Sequence, residues 1–350
     1  MTTTGGLSLV RATPDESAIA NVDISEARAI RRILLCLDRS TLSEACLPHA
    51  VFLANTFGST ITLLLVMQPA HERSSIPPTD ALGWEISRQE AIAYLERFEK
   101  EYLGHEVDVR LEQGRPAERI AAVEREIGAD LIVLGGHGES GVAPWNLGST
   151  AQHVLTLAQG SVFVARGGAG PHVAFSPENI LVPLDGSLRA ESVLPIAARI
   201  AKANGASILL AHVVQDALPT GVLRAPDDLA LADELAVRLE AGARRYLDQM
   251  QSRLGDGIAS IRTMVLRQSD HCNALLELSD RAHVDLVVLS AHGATCNRQR
   301  SFGGVTTHLL AHSPIPLLVL QDLSESGQHR PEISSDRPPS LRSHSPKEMI

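Results

Sequence analysis

The chain contains the same pattern twice, and this repeat constrains the fold more than any other feature of the sequence. Residues 33–40 read ILLCLDRS and residues 180–187 read ILVPLDGS, placing Asp38 and Asp185 in register, each with a serine two residues on (Ser40, Ser187). Leu47-Pro48 then matches Leu194-Pro195, and Gly58 matches Gly205. Further on, ADLIVLGGHGE (129–139) matches VDLVVLSAHGA (284–294). Asp38 and Asp130 are 92 residues apart, whereas Asp185 and Asp285 are 100 apart, so the second copy carries a small insertion. The stretch 220–228, next to Pro219 and containing Pro226, is the expected place for it.

Each copy alternates short apolar runs with longer amphipathic stretches. The runs at 33–37, 61–66, 107–111, 131–134 and 161–164 are expected strands of the first copy. Those at 180–184, 207–214, 261–266, 286–289 and 316–320 are their counterparts. Most are continuous in Val, Ile and Leu, as parallel strands covered on both faces require. Between them, spacings such as Ala91, Tyr94, Leu95 and Phe98 within 87–102 predict helices. Ser40 and Ser187 stand where a helix N-cap belongs. The chain is therefore expected to be α/β: two tandem Rossmann-like, doubly wound domains, each a five-stranded parallel sheet with helices on both faces. The expected boundaries are 30–167 and 177–322, joined by a linker at 168–176. Polar tails rich in Ser, Pro and charge at 1–29 and 323–350 are expected to be disordered.

Bulk properties remove several classes of function. A net charge of −10 and an aromatic content of 3% argue against nucleic acid or an anionic membrane as the partner. No apolar run approaches the roughly 18–20 residues that span a bilayer, and the N-terminal stretch shows no basic-then-apolar leader, so a cytoplasmic protein without membrane insertion is expected. Cys36, Cys46, Cys272 and Cys296 form no CxxC pair, and reduced thiols are the expectation.

The segment GGHGESGVAPWNLGST (135–150) follows the fourth apolar run of the first copy. Gly136, Gly138 and Gly141 match the dinucleotide pattern GxGxxG. However, Pro144 interrupts the expected helix, and no acid stands at 154–162 to hold a ribose. No P-loop, HExxH or GxSxG occurs. The better reading uses the whole stretch: a turn at Gly135 and Gly138, then a helix opening at Gly148-Ser149. The free N–H groups of that first turn can receive phosphate, although Ser149 acting only as a helix cap is the competing reading. In a doubly wound sheet Asp38, Val66 and this loop all fall on the carboxyl edge, where ligands bind.

The spacing Gly135-x2-Gly138-x9-Gly148-Ser149 resembles the ATP-binding pattern of the universal stress protein family, present here as two tandem domains. The LDRS and LDGS segments and the Gly114-Arg115-Pro116 turn support the resemblance. It implies an ATP site, with Mg2+, in which Asp38 and the backbone of Val66 contact adenosine. Gly135, His137 and Gly138 would line the ribose and first phosphate, and Gly148, Ser149 and Thr150 the remaining phosphates. The matching positions in the second copy are Asp185, Val213, His292, Gly293, Gly303 and Gly304.

The second copy departs from the pattern. Ser290 replaces Gly135, Gly304 replaces Ser149, and Ser269 stands for Gly114, so its site is expected to be degenerate. Arg298 and Arg300 lie inside its loop, and solvated surface arginines are the simpler reading of both. His137 and His292 recur beside the glycines without a partner arranged as a base, so contact is expected rather than catalysis. His308 and His312 have helical spacing but no third ligand, which favours a structural role over a metal pair. The expected function is adenine-nucleotide binding in stress response or signalling, with slow hydrolysis at most. The alternative is a nucleotide-independent interaction module. Exposed last strands would let the two halves pair, or two chains associate.

Overall fold

The computed structural model describes residues 30–68, 81–100, 107–136, 147–166, 170, 172–215, 226–294 and 301–321. The strands of the first half are β1 (Arg32–Leu37), β2 (Thr60–Met67), β3 (Asp108–Gln113), β4 (Leu131–Gly135) and β5 (Ser161–Ala165). Those of the second half are β6 (Asn179–Pro183), β7 (Ser207–Val214), β8 (Ser260–Arg267), β9 (Leu286–Ser290) and β10 (Leu317–Leu320). The first half carries helices α1 (Thr41–Glu44), α2 (Leu47–Phe57), α3 (Ala81–Phe98), α4 (Pro116–Ile127) and α5 (Ser149–Leu157). The second carries α6 (Leu188–Glu191), α7 (Leu194–Asn204), α8 (Pro226–Leu254), α9 (His271–Arg281) and α10 (Gly304–His312).

All ten expected strands form, and each half is doubly wound and parallel. The two sheets are not separate, however. The strand order β3-β2-β1-β4-β5-β10-β9-β6-β7-β8 is one ten-stranded sheet, closed at its centre by an antiparallel seam between β5 and β10. The seam pairs Val164 with Leu317, Phe163 with Leu318 and Val162 with Val319. Two apolar edges that would each be left open are thereby satisfied by one another. Alternate strand residues feed two core layers that run through both halves, one against α2, α3, α7 and α8 and the other against α4, α5, α9 and α10.

The repeated residues explain the local geometry. Ser40 caps α1 by accepting from the Ser43 amide, and Ser187 caps α6 by accepting from the Ala190 amide. Pro48 and Pro195 open α2 and α7, where a missing N–H costs nothing. Gly58 and Gly205 end those helices at φ +66° and +67°, the left-handed region that a β-carbon disfavours. Asp130 and Asp285 lie at the opposite edge from the glycine loop. Oδ2 of Asp130 accepts from the amides of Arg31 and Arg32, and Oδ2 of Asp285 from those of Glu178 and Asn179. These two acids hold the entry to the first strand of each half.

Sheet register locates the extra length of the second half. Met67 pairs with Gln113 but Val214 with Arg267, so most of the insertion lies between the second and third strands. Residues 216–225 are outside the described residues, and α8 is 29 residues long against 18 for α3. The segment expected to be a plain linker packs into the junction. Phe175 stacks on His49 at 4.2 Å and meets Phe52 edge-on at 5.2 Å. Arg199 of α7 donates to the carbonyls of Thr56 and Phe57 at the end of α2 and lies over the Phe57 ring.

Candidate functional site

The switch point of the first half lies between β1 and β4, whose chains leave in opposite directions to β2 and β5. A cleft of about 730 Å³ opens there, lined by Asp38, Val66, Gly135, Gly148, Ser149 and Thr150 among others. Six of the eight first-half residues singled out in the sequence therefore meet on one cleft. His137 and Gly138 lie outside the described residues.

Each arrives by a simple local rule. Asp38 is the first residue beyond β1, exposed, and its Oδ1 accepts from the amide and hydroxyl of Ser40 at 3.0 and 2.5 Å. The β1–β2 ladder ends at Leu37 and Leu65, so Val66 stands one residue past it. Gly135 ends β4. Gly148 donates its amide to the Gly136 carbonyl at 2.8 Å, which pins the start of α5 to the end of β4.

The helix cap differs from one of the two readings of the sequence. Gly148, with φ −61° and ψ 154°, is the N-cap of α5, and Ser149 is already the first helical residue. No side chain caps this helix, and Gly148, Ser149 and Thr150 of its first turn all line the cleft. Such a turn carries the positive end of the helix dipole and suits an anion. Ser149, Thr150 and Asp38 present only oxygen donors, the chemistry that Mg2+ takes when it travels with a triphosphate.

The second half builds the same frame with different contents. Gly303 caps α10 and donates to the Ala291 carbonyl at 2.8 Å, as Gly148 does to Gly136. Asp185 is fastened to its own loop: Oδ1 accepts from the amide and hydroxyl of Ser187, and Oδ2 from the Ala294 amide at 2.7 Å. A β-carbon on Gly293 would sit 2.1 Å from Oδ2, so the loop backbone lies directly on the acid. Burial pushes the Asp185 pKa upward, but the hydrogen bonds from Ser187 and Ala294 outweigh it and hold the carboxyl below its ordinary value. Val213 lies near the end of β7, and His292 and Gly293 follow β9.

Two differences were missed in the sequence. Thr150 corresponds to Val305, so the second helix start, Gly304-Val305, has lost both hydroxyls. The signal was Val305 itself, the residue that follows Gly304. The turn after the third strand also differs from its sequence alignment. The Gly114 amide bonds the Met67 carbonyl, and it is Gln268, not Ser269, that makes the equivalent bond to Val214. Ser269 is thus an added residue in a turn where Gly114 adopts φ +136°. Ser290, in place of Gly135, is 7% exposed, and its hydroxyl has no partner among the described residues.

Other candidates take structural places. Cys46 is buried and its thiol is pushed up to about 12 by burial and by Asp38, which makes it inert. Cys36 is shifted upward for the same primary reason, with Cys46 and Glu124 adding to it. His308 and His312 stack at 4.2 Å, with His312 Nδ1 at 3.0 Å from the His308 carbonyl. No cluster of three or more metal-binding side chains occurs among the described residues. Nor is any helix among them long and apolar enough to cross a membrane. Cys296, Arg298 and Arg300 lie outside the described residues.

Comparison with known proteins agrees with this fold. The model of the universal stress protein family matches residues 29–166 and again 177–321. A universal stress protein of Mycolicibacterium smegmatis is 25% identical over 298 residues, which span 83% of this chain and 96% of the relative. One from Methanocaldococcus jannaschii is 27% identical over 144 residues, 39% of this chain and 82% of its own. The crystal structure of a universal stress protein from Archaeoglobus fulgidus shares the fold, with a TM-score of 0.58 at 20% identity, covering 84% of this chain and 99% of that one. With two matches that together take up most of its length, the chain belongs to the universal stress protein family and carries the family unit twice in tandem.

Proposed function

We propose that the protein binds adenine nucleotide, with ATP as the working ligand, in the cleft of the first half, and acts in the cytoplasm in stress response or signalling. One observation carries this reading. The cleft at the switch point gathers a strand-end carboxylate, an open strand end and an uncapped helix N-terminus within a volume typical of small-molecule sites. In it, the amides and hydroxyls of Ser149 and Thr150 donate to phosphate, Asp38 accepts from ribose hydroxyls, and the main chain at Val66 meets the base. Mg2+ bound with the nucleotide would neutralise phosphate charge beside these oxygen donors. The proposed role is occupancy, not turnover, with hydrolysis slow.

The second half is proposed as the weaker site, because its helix start lacks hydroxyls and Ser290 stands in place of Gly135. Calorimetric titration of the purified chain with ATP, together with assay of the nucleotide that co-purifies, tests the reading. One tightly bound nucleotide per chain is expected. No heat at millimolar ATP and no retained nucleotide would refute it.

A further inference from the structure

Arg166 follows β5 at the junction of the two halves and is 7% exposed. Its Nη2 donates to the Leu310 carbonyl of α10. Its Nε and Nη1 are fully buried and have no acceptor among the described residues, and no carboxylate there pairs with it. A buried cation without a counter-charge is costly, and a guanidinium does not escape that cost by losing its proton.

What lies against it is Gly136, the residue just beyond β4. A β-carbon on Gly136 would sit 2.7 Å from Nη1 and 2.9 Å from Cζ, so the guanidinium lies directly against that glycine. The Gly136 carbonyl in turn accepts from the Gly148 amide at the start of α5. The cation thus underlies the helix start from the far side of one residue. The repeat supplies a control. The Gly136 amide bonds the Ala165 carbonyl as the Ala291 amide bonds Leu320, which places Gln321 at the position of Arg166. There the charge is gone, the Gln321 amide group donates to the Ser301 carbonyl, and Ala291 has the β-carbon that Gly136 lacks.

We propose that Arg166 is the buried cation of the first site, a charge beneath the cradle whose counter-ion is the ligand's phosphate chain. This inference rests on the nucleotide reading above and deepens it. Arg166 does not touch the ligand. It acts through Gly136 and the start of α5, in a dry setting where its field is little screened and adds to that of the helix. Affinity at this site therefore grows with phosphate number, while the nucleoside contributes independently of Arg166.

The test compares the dissociation constants of ATP, ADP, AMP, adenosine and inorganic tripolyphosphate for the wild type, Arg166→Gln and Arg166→Lys. Arg166→Gln is expected to weaken ATP and tripolyphosphate by about tenfold, ADP by less, and adenosine by less than about twofold. Arg166→Lys keeps the charge and should retain the ATP-to-adenosine ratio within about threefold of wild type. Arg166→Met fills the space without a buried polar group and replaces the glutamine variant if that one does not fold. Equal losses for ATP and adenosine, no loss at all, or collapse of the ratio in Arg166→Lys would each overturn the inference. Wild type that binds adenosine as tightly as ATP would overturn it while leaving nucleoside binding intact. Wild type that binds neither would remove the nucleotide reading itself.

Discussion

The two halves agree at their helix caps and strand entries and differ where they face the cleft and at a few buried positions. Ser40 and Ser187, Pro48 and Pro195, Gly58 and Gly205, and Asp130 and Asp285 perform the same local tasks in both. By contrast, Ser149-Thr150 becomes Gly304-Val305, Gly135 becomes Ser290, and Arg166 becomes Gln321. Residues that carry caps and turns are tied to the fold, whereas residues lining a cleft can change in one copy when the other copy does the binding. Exchanging residues between equivalent positions is therefore the sharpest way to test the comparison.

The largest effect should come from a structural asymmetry. Glu124 of α4 is 3% exposed and accepts from the amides of Gln159 and Gly160, with no room for a β-carbon on Gly160, which would sit 2.8 Å from Oε1. The second half uses Ser279 and Ile315 instead, and there Ser313 accepts from the Ile315 amide. Glu124→Ala leaves the buried Gly160 amide and the part-buried Gln159 amide without their carboxylate acceptor and should cost about 3 kcal/mol. Ser279→Ala, losing one hydroxyl bond to Leu275, should cost about 1 kcal/mol. Urea unfolding measures both, and equal costs would break the asymmetry.

A pH dependence is next. His49 of α2 is buried against Phe163 and Phe175, with Nδ1 3.1 Å from the Ala45 carbonyl. Burial lowers its pKa to about 4, partly opposed by that hydrogen bond. The unfolded chain takes up this proton from about pH 6.5 downward and the folded chain only near 4. Stability is thus complete above pH 6.5 and falls as pH drops toward 4, by about 3 kcal/mol. Ile196 holds the same place in the second half. His49→Ile should flatten this part of the stability–pH curve, and an unchanged slope would show that another group carries it.

Much of this architecture was legible in the sequence because the repeat and the Val/Ile/Leu runs report burial, and burial dictates strands. The cleft residues were legible because a doubly wound sheet carries strand ends to one edge. The central seam could be read only as exposed last strands, since pairing between distant segments leaves no periodic signal. Arg166 and Glu124 were not legible, because a buried charge looks the same in sequence as a surface one. The match of Ser269 to Gly114 failed because an inserted residue shifts an alignment, whereas the Gln268 hydrogen bond to Val214 does not shift.

Transplanting the second helix start into the first site probes the cleft directly. The pair Ser149→Gly and Thr150→Val removes two hydroxyl donors but keeps every backbone amide. At about 0.5–1.5 kcal/mol for each hydrogen bond, ATP should bind about tenfold more weakly, with folding little changed. Calorimetry with ATP checks this. The reverse pair, Gly304→Ser with Val305→Thr, should strengthen the second site by less, since Ser290 stays in place of Gly135. If the reverse pair created a site as tight as the first, Ser290 would not be what weakens the second half.

The smallest expected effect concerns the turn after the strand-end acid. Arg39 holds φ +67°, while the second half has Gly186 at φ +83° in the same position. A side chain there costs roughly 1 kcal/mol, which glycine avoids. Arg39 recovers some of this by donating Nη2 to the Ser87 carbonyl at 3.0 Å and lying 3.9 Å from Glu90, contacts that are solvent-exposed and weak. Arg39→Gly should therefore stabilise the chain by about 0.5 kcal/mol, and Gly186→Ala should destabilise it by about 1 kcal/mol. Both are read from urea midpoints. Arg39 lines the cleft, so ATP affinity must be followed alongside. A gain in stability paired with weaker ATP binding would show that the strained arginine is kept for the ligand, and a loss of stability would show that its contacts to α3 outweigh the backbone strain.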